Sequence, residues 1–239
     1  MRYDYNEKTL AAMAETERLK PDQTLDINEP FFTKILKYLN GKIGEQSVLD
    51  IGTGNGYVLS EIAQRASNLH CSLYGVDNSE EMVSIAQKNL GAKAQILQAD
   101  ANHLPFNEGS FNLVTAKNVT RINPKEIYRV LKPGGVFVFR EYGPGKGLCE
   151  IASLFPGRII RQRDPLFYAN SLSEAGLYIL SLESYIITRD YGSPKNLITI
   201  VKSFPFIENF SQADEETIIA KCHTGVVISD PFILVCRKE

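Results

Sequence analysis

Hydrophobic and polar positions along residues 46–141 follow a pattern typical of a parallel α/β sheet. Short apolar segments, each long enough for one buried strand, are separated by segments with apolar residues at helical spacing. The predicted strands are 46–51, 71–76, 94–99, 111–115 and 136–139, and the predicted helices between them begin near residues 56, 79 and 123. Because strands that alternate with helices require right-handed crossovers, this pattern predicts a parallel sheet.

A glycine-rich turn of the form D-x-G-x-G-x-G follows the first predicted strand. Asp50 lies near the end of the strand, and Gly52, Gly54 and Gly56 follow at every second position. Glycine permits positive φ and close approach of a ligand, and the next helix offers unpaired N–H groups. The dinucleotide pattern G-x-G-x-x-G would need a glycine at Tyr57, and an acid this near is unfavourable beside a diphosphate. The turn is therefore predicted to hold a cationic ligand without phosphate, such as one carrying a sulfonium and an ammonium.

Two further acids end the next two predicted strands. Asp77 comes 25 residues after Gly52, and Asp100 ends the third strand. Because ligands of open α/β sheets bind outside the carboxyl ends of the strands, Asp50, Asp77 and Asp100 are predicted to converge on one ligand. Asp77 is placed to accept hydrogen bonds from ribose hydroxyls, and Asp100 from an adenine amine.

These motifs resemble the class I S-adenosylmethionine-dependent methyltransferases, particularly the small-molecule group that includes the quinone-biosynthesis enzymes. The resemblance spans residues 46–141 and rests on the segments VLDIGTGNGYVLSEIA, LYGVDNSEEMVSIAQKN, ILQADANHLPFNEGSFNLVTAKNV and RVLKPGGVFVF within them. It implies an α/β fold: a Rossmann-like, seven-stranded, mostly parallel sheet with an antiparallel last strand, helices on both faces, N-terminal helices and an inserted cap. One departure is Asn112, where the family often has an Asp that does structural work at the strand entry.

The resemblance also implies an S-adenosyl-L-methionine site, with S-adenosyl-L-homocysteine as the product. The residues expected to bind this cofactor are Asp50, Gly52, Thr53, Gly54, Gly56, Asp77, Asn78, Met82, Asp100, Ala101, Asn102 and Lys117. No metal is expected, because no H-x-x-H or paired-carboxylate arrangement is present.

The acceptor side of the site is less sharply defined. The residues expected to face the substrate are Tyr5, Asn118, Arg121, Arg140 and Tyr142. No catalytic residue is assigned; Glu141 and His223 are candidates for a general base, which is needed only if the nucleophile arrives protonated. The arginines 158, 161 and 163 either meet an anionic group on the acceptor or, as we favour, form a solvated face or internal ion pairs with Glu150 and Asp164.

The chain is interpreted as one methyltransferase domain, residues 1–239. Its expected parts are an N-terminal helical cover at 1–43, a cofactor-binding core at 44–141, an insert or cap at 142–170 and the C-terminal half of the sheet at 171–239. The last part contains a sixth strand at 179–187, a helical addition at 192–225 and the antiparallel strand that begins at Pro231. Asn28 is expected to cap a helix in the N-terminal cover.

Composition and charge narrow the class of protein. The chain has 239 residues, 44% of them hydrophobic and 23% charged, with a net charge of −2. These values are typical of a globular protein, and they favour neither a nucleic acid nor a membrane surface as partner. The polar N-terminus lacks a signal core, and the four cysteines form no C-x-x-C, so reduced thiols and a cytoplasmic location are expected. Monomer and homodimer stay open.

The expected function is methyl transfer by in-line displacement to N, O or C of a small-molecule metabolite. One alternative is an RNA or protein methyltransferase, since residues 140–143, R-E-Y-G, resemble the end of strand five in some tRNA cytosine methyltransferases. The near-neutral charge weighs against that alternative. A second alternative is a protein that binds S-adenosylmethionine but is catalytically inactive.

Overall fold

The computed structural model describes residues 19–40, 44–119 and 121–239. The strands are β1 Asp22–Gln23, β2 Gln46–Ile51, β3 Cys71–Asp77, β4 Gln95–Gln98, β5 Phe111–Lys117, β6 Leu131–Tyr142, β7 Leu177–Ser184, β8 Ile187–Asp190, β9 Val226–Ser229 and β10 Pro231–Lys238. The helices are α1 Asn28–Leu39, α2 Tyr57–Arg65, α3 Glu80–Leu90, α4 Pro124–Val130, α5 Cys149–Leu154, α6 Pro165–Glu174, α7 Pro194–Ser203 and α8 Gln212–Lys221. The predicted first helix, within residues 1–20, falls almost wholly outside the described residues.

The chain divides into two compact units, of which the larger comprises residues 27–141, 165–183 and 232–239. This larger unit is built on a seven-stranded sheet in the order β4-β3-β2-β5-β6-β10-β7. The pairs β3–β4, β2–β3, β2–β5 and β5–β6 are parallel, and one strand of the seven is antiparallel. The fold class expected from the sequence is confirmed.

The core of the larger unit explains why its central strands read as continuous apolar segments. In β2, Val48, Leu49 and Ile51 are all buried, because helices cover both faces of the sheet. Aromatic side chains fill one side of the core: Phe139 lies edge-on to Phe232, with ring centroids 5.7 Å apart. A buried acid near the end of such an apolar strand is exceptional, and Asp50 is such an acid.

Two local predictions concern the starts of helices. The structure agrees with one of them and contradicts the other. The helix predicted to begin near residue 79 is α3, and Ser79 caps it, because its hydroxyl oxygen accepts a hydrogen bond of 3.3 Å from the N–H of Met82. The prediction that Asn28 caps α1 is wrong. The capping position belongs to Ile27, whose buried side chain anchors the start of the helix, and Asn28 is already the first helical residue.

The smaller unit comprises residues 142–164 and 184–231 with the described residues before Ile27. It contains the antiparallel sheet β1-β8-β9 and helices α5, α7 and α8. Its buried core includes Phe155, Leu197, Val201, Phe206 and Ile218. Residues from the predicted insert and from the predicted helical addition thus share one core.

The predicted sixth strand, 179–187, is wrong in its extent. Apolar alternation runs through this segment without a break, yet the chain forms β7 up to Ser184 and then β8 from Ile187. Between them Ile186 is 82% exposed. The second strand leaves the large sheet because it pairs antiparallel with β1 and β9, and these pairings cannot be read from a local pattern. No helix in the described parts of the chain is long and apolar enough to span a membrane.

Candidate functional site

The glycine turn between β2 and α2 places all three of its glycines at positive φ. The φ angles of Gly52, Gly54 and Gly56 are +66°, +54° and +85°. A Cβ on Gly56 would lie 2.7 Å from Cδ1 of Leu90, so the helix packing there leaves no room for a side chain. A Cβ on Gly54 would meet nothing within 4 Å. The backbone at Gly54 is therefore open to a ligand.

Asp77 connects this turn to the end of β3. One carboxylate oxygen, Oδ2, accepts a hydrogen bond of 2.9 Å from the N–H of Gly54, and Oδ1 accepts one of 3.0 Å from the N–H of Ser79. The side chain is buried, with 7% of its surface exposed. Since an ionised carboxylate has about four lone-pair positions, each oxygen can still accept a hydrogen bond from a ligand hydroxyl.

Asp50 is a nearly fully buried acid with a perturbed protonation equilibrium. Burial raises the pKa of Asp50 from 3.8 to about 7, although the hydrogen bond from Thr115 and the charge of Lys117 each lower it. The negative charge of Asp77 adds to the upward shift. A cation bound nearby would stabilise the carboxylate form, so Asp50 is suited to a positively charged ligand.

Lys117, the last residue of β5, lies beside the first helical residue after the turn. Its Nζ is 4.7 Å from the ring centroid of Tyr57. The Tyr57 ring in turn contacts Phe32 of α1 edge-on, with centroids 5.9 Å apart. These contacts fix helix α1 next to the glycine turn. The sequence alone did not decide whether this helix packs on the sheet or covers the site.

The loop after β4 carries Asp100 and is held by its own hydrogen bonds. Both the backbone N–H and the side-chain amide of Asn102 donate to Oδ1 of Asp100, at 2.9 and 2.8 Å. The side chains of Asp100 and Asn102 are exposed, whereas Ala101 between them is half-buried.

Helix α4 fixes the continuation of this loop. Oε2 of Glu126 accepts a hydrogen bond of 2.7 Å from the N–H of Leu104, and Arg129 donates to the carbonyl oxygens of Leu104 and Phe106. Arg129 also pairs with Glu126 at 2.7 Å, which lowers the pKa of Glu126. Sequence reasoning missed this support; its signal was an opposite-charge pair three residues apart on a short predicted helix.

The remaining residues expected around the cofactor take different environments. Thr53 and Met82 are buried, and Asn78 is exposed at the start of the turn into α3. The backbone N–H of Thr53 donates to the carbonyl oxygen of Val76 at 2.9 Å, which keeps the ends of β2 and β3 together.

The expected substrate-facing residues do not all lie together. Arg140 donates to Oδ1 of Asn118 at 2.7 Å, and its carbonyl accepts the N–H of Asn118 at 2.9 Å, across the paired ends of β5 and β6. Arg140 and the candidate base Glu141 are 3% and 2% exposed, whereas Arg121 is exposed. Tyr5 lies outside the described residues.

Tyr142 and His223 belong to the smaller unit. The hydroxyl of Tyr142 accepts a hydrogen bond of 3.0 Å from Arg189. His223 follows α8 with an exposed side chain.

Arg158, from the predicted insert, forms an internal ion pair, as favoured from the sequence, but with a partner the sequence did not suggest. It donates to both carboxylate oxygens of Asp214, at 2.8 and 2.9 Å, and this pairing holds the pKa of Asp214 well below its usual range. Glu150, one predicted partner, instead accepts the backbone N–H of Ile228 at 2.8 Å. The bidentate pair holds the segment after α5 to the start of α8.

A loop in the smaller unit was missed entirely by sequence reasoning. The carboxylate of Asp230 accepts hydrogen bonds from the N–H groups of Gly145 and Gly147, at 2.6 and 2.8 Å, and its carbonyl accepts that of Gly143 at 2.9 Å. Only the glycines at 143–147 hinted at a loop of defined shape. Among the described residues, no group of three or more His, Cys, Asp or Glu is arranged to hold a metal ion.

Comparison with known proteins shows which family this part of the chain is similar to. Residues 48–135 match the family model described as "Methyltransferase domain". Over these residues the core is similar to a methyltransferase domain. The match covers the glycine turn, Asp77, Asp100 and Lys117, and it confirms the family resemblance expected from the sequence motifs.

Curated relatives are similar to the same part of the chain. The core is similar to the ubiquinone/menaquinone biosynthesis C-methyltransferase of Rickettsia prowazekii (strain Madrid E), 36% identical over 113 residues, covering 42% of this chain and 46% of that protein. It is also similar to a tRNA N(3)-methylcytidine methyltransferase of Schizosaccharomyces pombe, 28% identical over 127 residues, covering 47% and 41%. The chain thus spans about half the length of the curated relatives it matches.

Among solved structures, the fold is similar to the YcgJ protein from Bacillus subtilis. The TM-score is 0.63 at 17% sequence identity, over 88% of this chain and 99% of that one. At this identity the similarity concerns the fold alone.

Proposed function

We propose that the protein is an S-adenosylmethionine-dependent methyltransferase that acts on a small-molecule acceptor. The observation that carries the proposal is the connection between Gly54 and Asp77: an open glycine backbone held by a buried acid at the ends of adjacent parallel strands. Ligands of α/β sheets bind at this edge, and two acids there favour a cationic, phosphate-free nucleoside.

The residues present fit this cofactor. Asp77 would accept from the ribose hydroxyls, the open backbone of Gly54 would approach the amino-acid part, and Asp50 would face its positive charge. The loop of Asp100 to Asn102, supported by α4, would line the adenine. When bound, S-adenosylmethionine supplies a methyl group that its sulfonium already activates for displacement.

The chain's own residues then have to orient and desolvate rather than to perform difficult chemistry. Lys117 and Tyr57 form a cation–π pair at one side of the turn. The hydrogen bonds between Asn118 and Arg140 fix the ends of β5 and β6 where an acceptor would approach. Glu141 is buried directly after Arg140 and is the candidate base within the core for an acceptor that arrives protonated.

A small-molecule acceptor is favoured by charge and by one relative. The net charge of −2 gives no general attraction to RNA, and the Rickettsia relative is named for quinone biosynthesis. A tRNA base is the second candidate, supported by the relative named for tRNA methylation and by the R-E-Y-G residues 140–143. The acceptor class is therefore what the first experiment has to decide.

That experiment is transfer of a labelled methyl group from S-adenosylmethionine to fractionated host extract. Label in the small-molecule fraction, resistant to ribonuclease and protease, is expected. Label in the tRNA or protein fraction instead would overturn the small-molecule proposal. Cofactor binding without label in any fraction would mark a catalytically inactive protein.

A binding experiment tests the cofactor site directly. Calorimetry with S-adenosylmethionine is expected to give tight binding that Asp77→Ala reduces at least about tenfold, or roughly 1.4 kcal/mol, since the ribose loses a charged acceptor. Glu80→Gln, an exposed acid three residues away, is the matched control and should bind as the wild type does. An unchanged affinity of Asp77→Ala for S-adenosylmethionine would contradict the assignment of the site.

A further inference from the structure

The guanidinium of Arg189 lies at a position of β8 where the alternation of buried and exposed residues predicts an apolar side chain. The strand alternates, with Ile187 and Arg189 buried and Asp190 exposed. Arg189 pairs in register with Gln23 of β1 on one side and with the buried Val227 of β9 on the other. It is 8% exposed, so the charge is largely removed from water.

The hydrogen-bond partners of this cation are neutral. Nε of Arg189 donates to Oε1 of Gln23 at 3.2 Å, and Nη1 donates to the hydroxyl of Tyr142 at 3.0 Å. The guanidinium lies 5.7 Å from the centroid of the Tyr142 ring. Burial lowers the pKa of Arg189, but Tyr142 and Tyr191 more than offset this, so the group stays charged.

No carboxylate compensates this charge within the part of the chain that the structure describes. The ion pairs among described residues involve other arginines, such as Arg158 and Arg129, and none includes Arg189. Burying an ion without a counter-ion is unfavourable, because the ion loses hydration and no opposite charge replaces it. A cation kept in such a position indicates a ligand that supplies the negative charge.

The donor geometry fits an oxyanion. A guanidinium has five N–H donors in one plane, and its hydrogen bonds to Gln23, Tyr142 and Tyr191 leave two of them. Planar pairs of N–H groups match the two oxygens of a carboxylate or phosphate.

We propose that Arg189, oriented by Gln23 and Tyr142, binds an oxyanion, the carboxylate or phosphate of a small anionic ligand. All three residues belong to the smaller unit, so the site does not rest on the proposed function.

The test is titration of the full chain with inorganic phosphate and, separately, with acetate, each against sodium chloride at the same ionic strength. The assigned Nε–H resonance of Arg189 is expected to shift saturably with one of the two anions, and the Tm is expected to rise by about 2 °C or more over the chloride reference. A response to phosphate points to a phosphate ester, and one to acetate points to a carboxylic acid.

Substitutions separate this site from general salt effects. Arg189→Met should abolish the Tm response, and Arg237→Gln, which removes a half-exposed arginine on β10, should keep it. Equal responses in the wild type and in Arg189→Met would overturn the proposal, as would no shift of the Nε–H resonance up to about 100 mM of either anion, too weak for a metabolite site. If Arg189→Met does not fold, the wild-type resonance decides alone.

The outcome is independent of the methyltransferase assay, because neither cofactor nor acceptor is needed. Arg189-dependent anion binding without methyl transfer would leave the site standing and count against the proposed function. Methyl transfer without any Arg189-dependent anion response would leave the proposed function standing and count against the site.

Discussion

The hydroxyl of Thr115 donates a hydrogen bond of 2.7 Å to Oδ1 of Asp50, across strands in which the two residues are direct partners. This contact is the main polar support of an acid that is otherwise sealed in the apolar core of β2 and β5. It lowers the pKa of Asp50, but burial outweighs it and leaves the value at about 7. The protonation state of Asp50 therefore depends on the ligand that is bound beside it.

Substituting Asp50 with Asn should remove a pH dependence. The pKa of Asp50 is raised from 3.8 to about 7 by folding, so between these values the folded state binds more protons than the unfolded state. Stability of the ligand-free protein therefore falls as pH rises through this window, by up to about 4 kcal/mol. Asp50→Asn should be more stable than the wild type at pH 8, and the gap should shrink towards pH 5.

Urea unfolding at the two pH values measures this, with Asp22→Asn on β1 as the exposed control. Wild-type affinity for S-adenosylmethionine should also weaken below about pH 7, as Asp50 becomes protonated, and Asp50→Asn should bind weakly throughout. Parallel pH profiles of the wild type and the Asn variant would contradict both expectations.

Gly54→Ala should separate backbone strain from loss of a ligand surface. Gly54 and Gly109 both have positive φ, +54° and +64°, and at both a Cβ would enter open space. Each substitution should therefore cost about 1–2 kcal/mol through strain alone, seen as similar falls in Tm. Only Gly54→Ala should also lose at least about tenfold in cofactor affinity, because its methyl group projects over the turn. Equal affinities in the two variants would show that no ligand approaches Gly54.

Asn112 tests the one departure from the family motifs. Its Oδ1 accepts both the N–H of Ser47, at 3.0 Å, and the ammonium of Lys132, at 2.8 Å. Asn112→Ala should cost about 1–3 kcal/mol in urea unfolding, because both donors lose their partner. Asn112→Asp keeps the acceptor and adds an ion pair, so a gain of up to about 1 kcal/mol is expected, smaller in 1 M salt.

Asn170→Ala, at an exposed position of α6, is the reference for loss of an amide without such contacts. If Asn112→Ala is no less stable than this reference, the entry of β5 does not depend on Asn112.

Asp230→Asn should loosen the loop at 143–147. Its two carboxylate oxygens each accept a backbone N–H, and an amide can replace only one of them. Asp190 is a matched control, because one oxygen accepts the N–H of Gly192 at 2.7 Å and Asn can keep that bond. Faster amide exchange at Gly145 or Gly147 and a loss of about 1–3 kcal/mol are expected for Asp230→Asn alone. Equal effects of the two substitutions would contradict a role for the second oxygen.

The sequence predicted those features of the protein that depend on residues close together in the chain. The glycine turn, Asp77 and the cap at Ser79 follow from strand, turn and helix signals within a few residues of each other. The contacts that escaped prediction join distant residues: Arg158 with Asp214, and Asp230 with the glycines at 143–147. Periodicity carries no information on such partners. The alternation that continues from β7 into β8 likewise gives no sign that the chain changes sheets at Ile186.

The loop at 143–147 has a consequence for the order in which the protein assembles. Its shape depends on Asp230, which follows Gly145 by 85 residues. Closing so long a segment is entropically costly, and contacts of this span form late in folding. During synthesis β6 emerges well before Asp230, so the segment that begins at Gly143 cannot take its final shape until residue 230 has been made. A chain truncated within β9 would retain the glycine turn of its core and lack the carboxylate that shapes this loop.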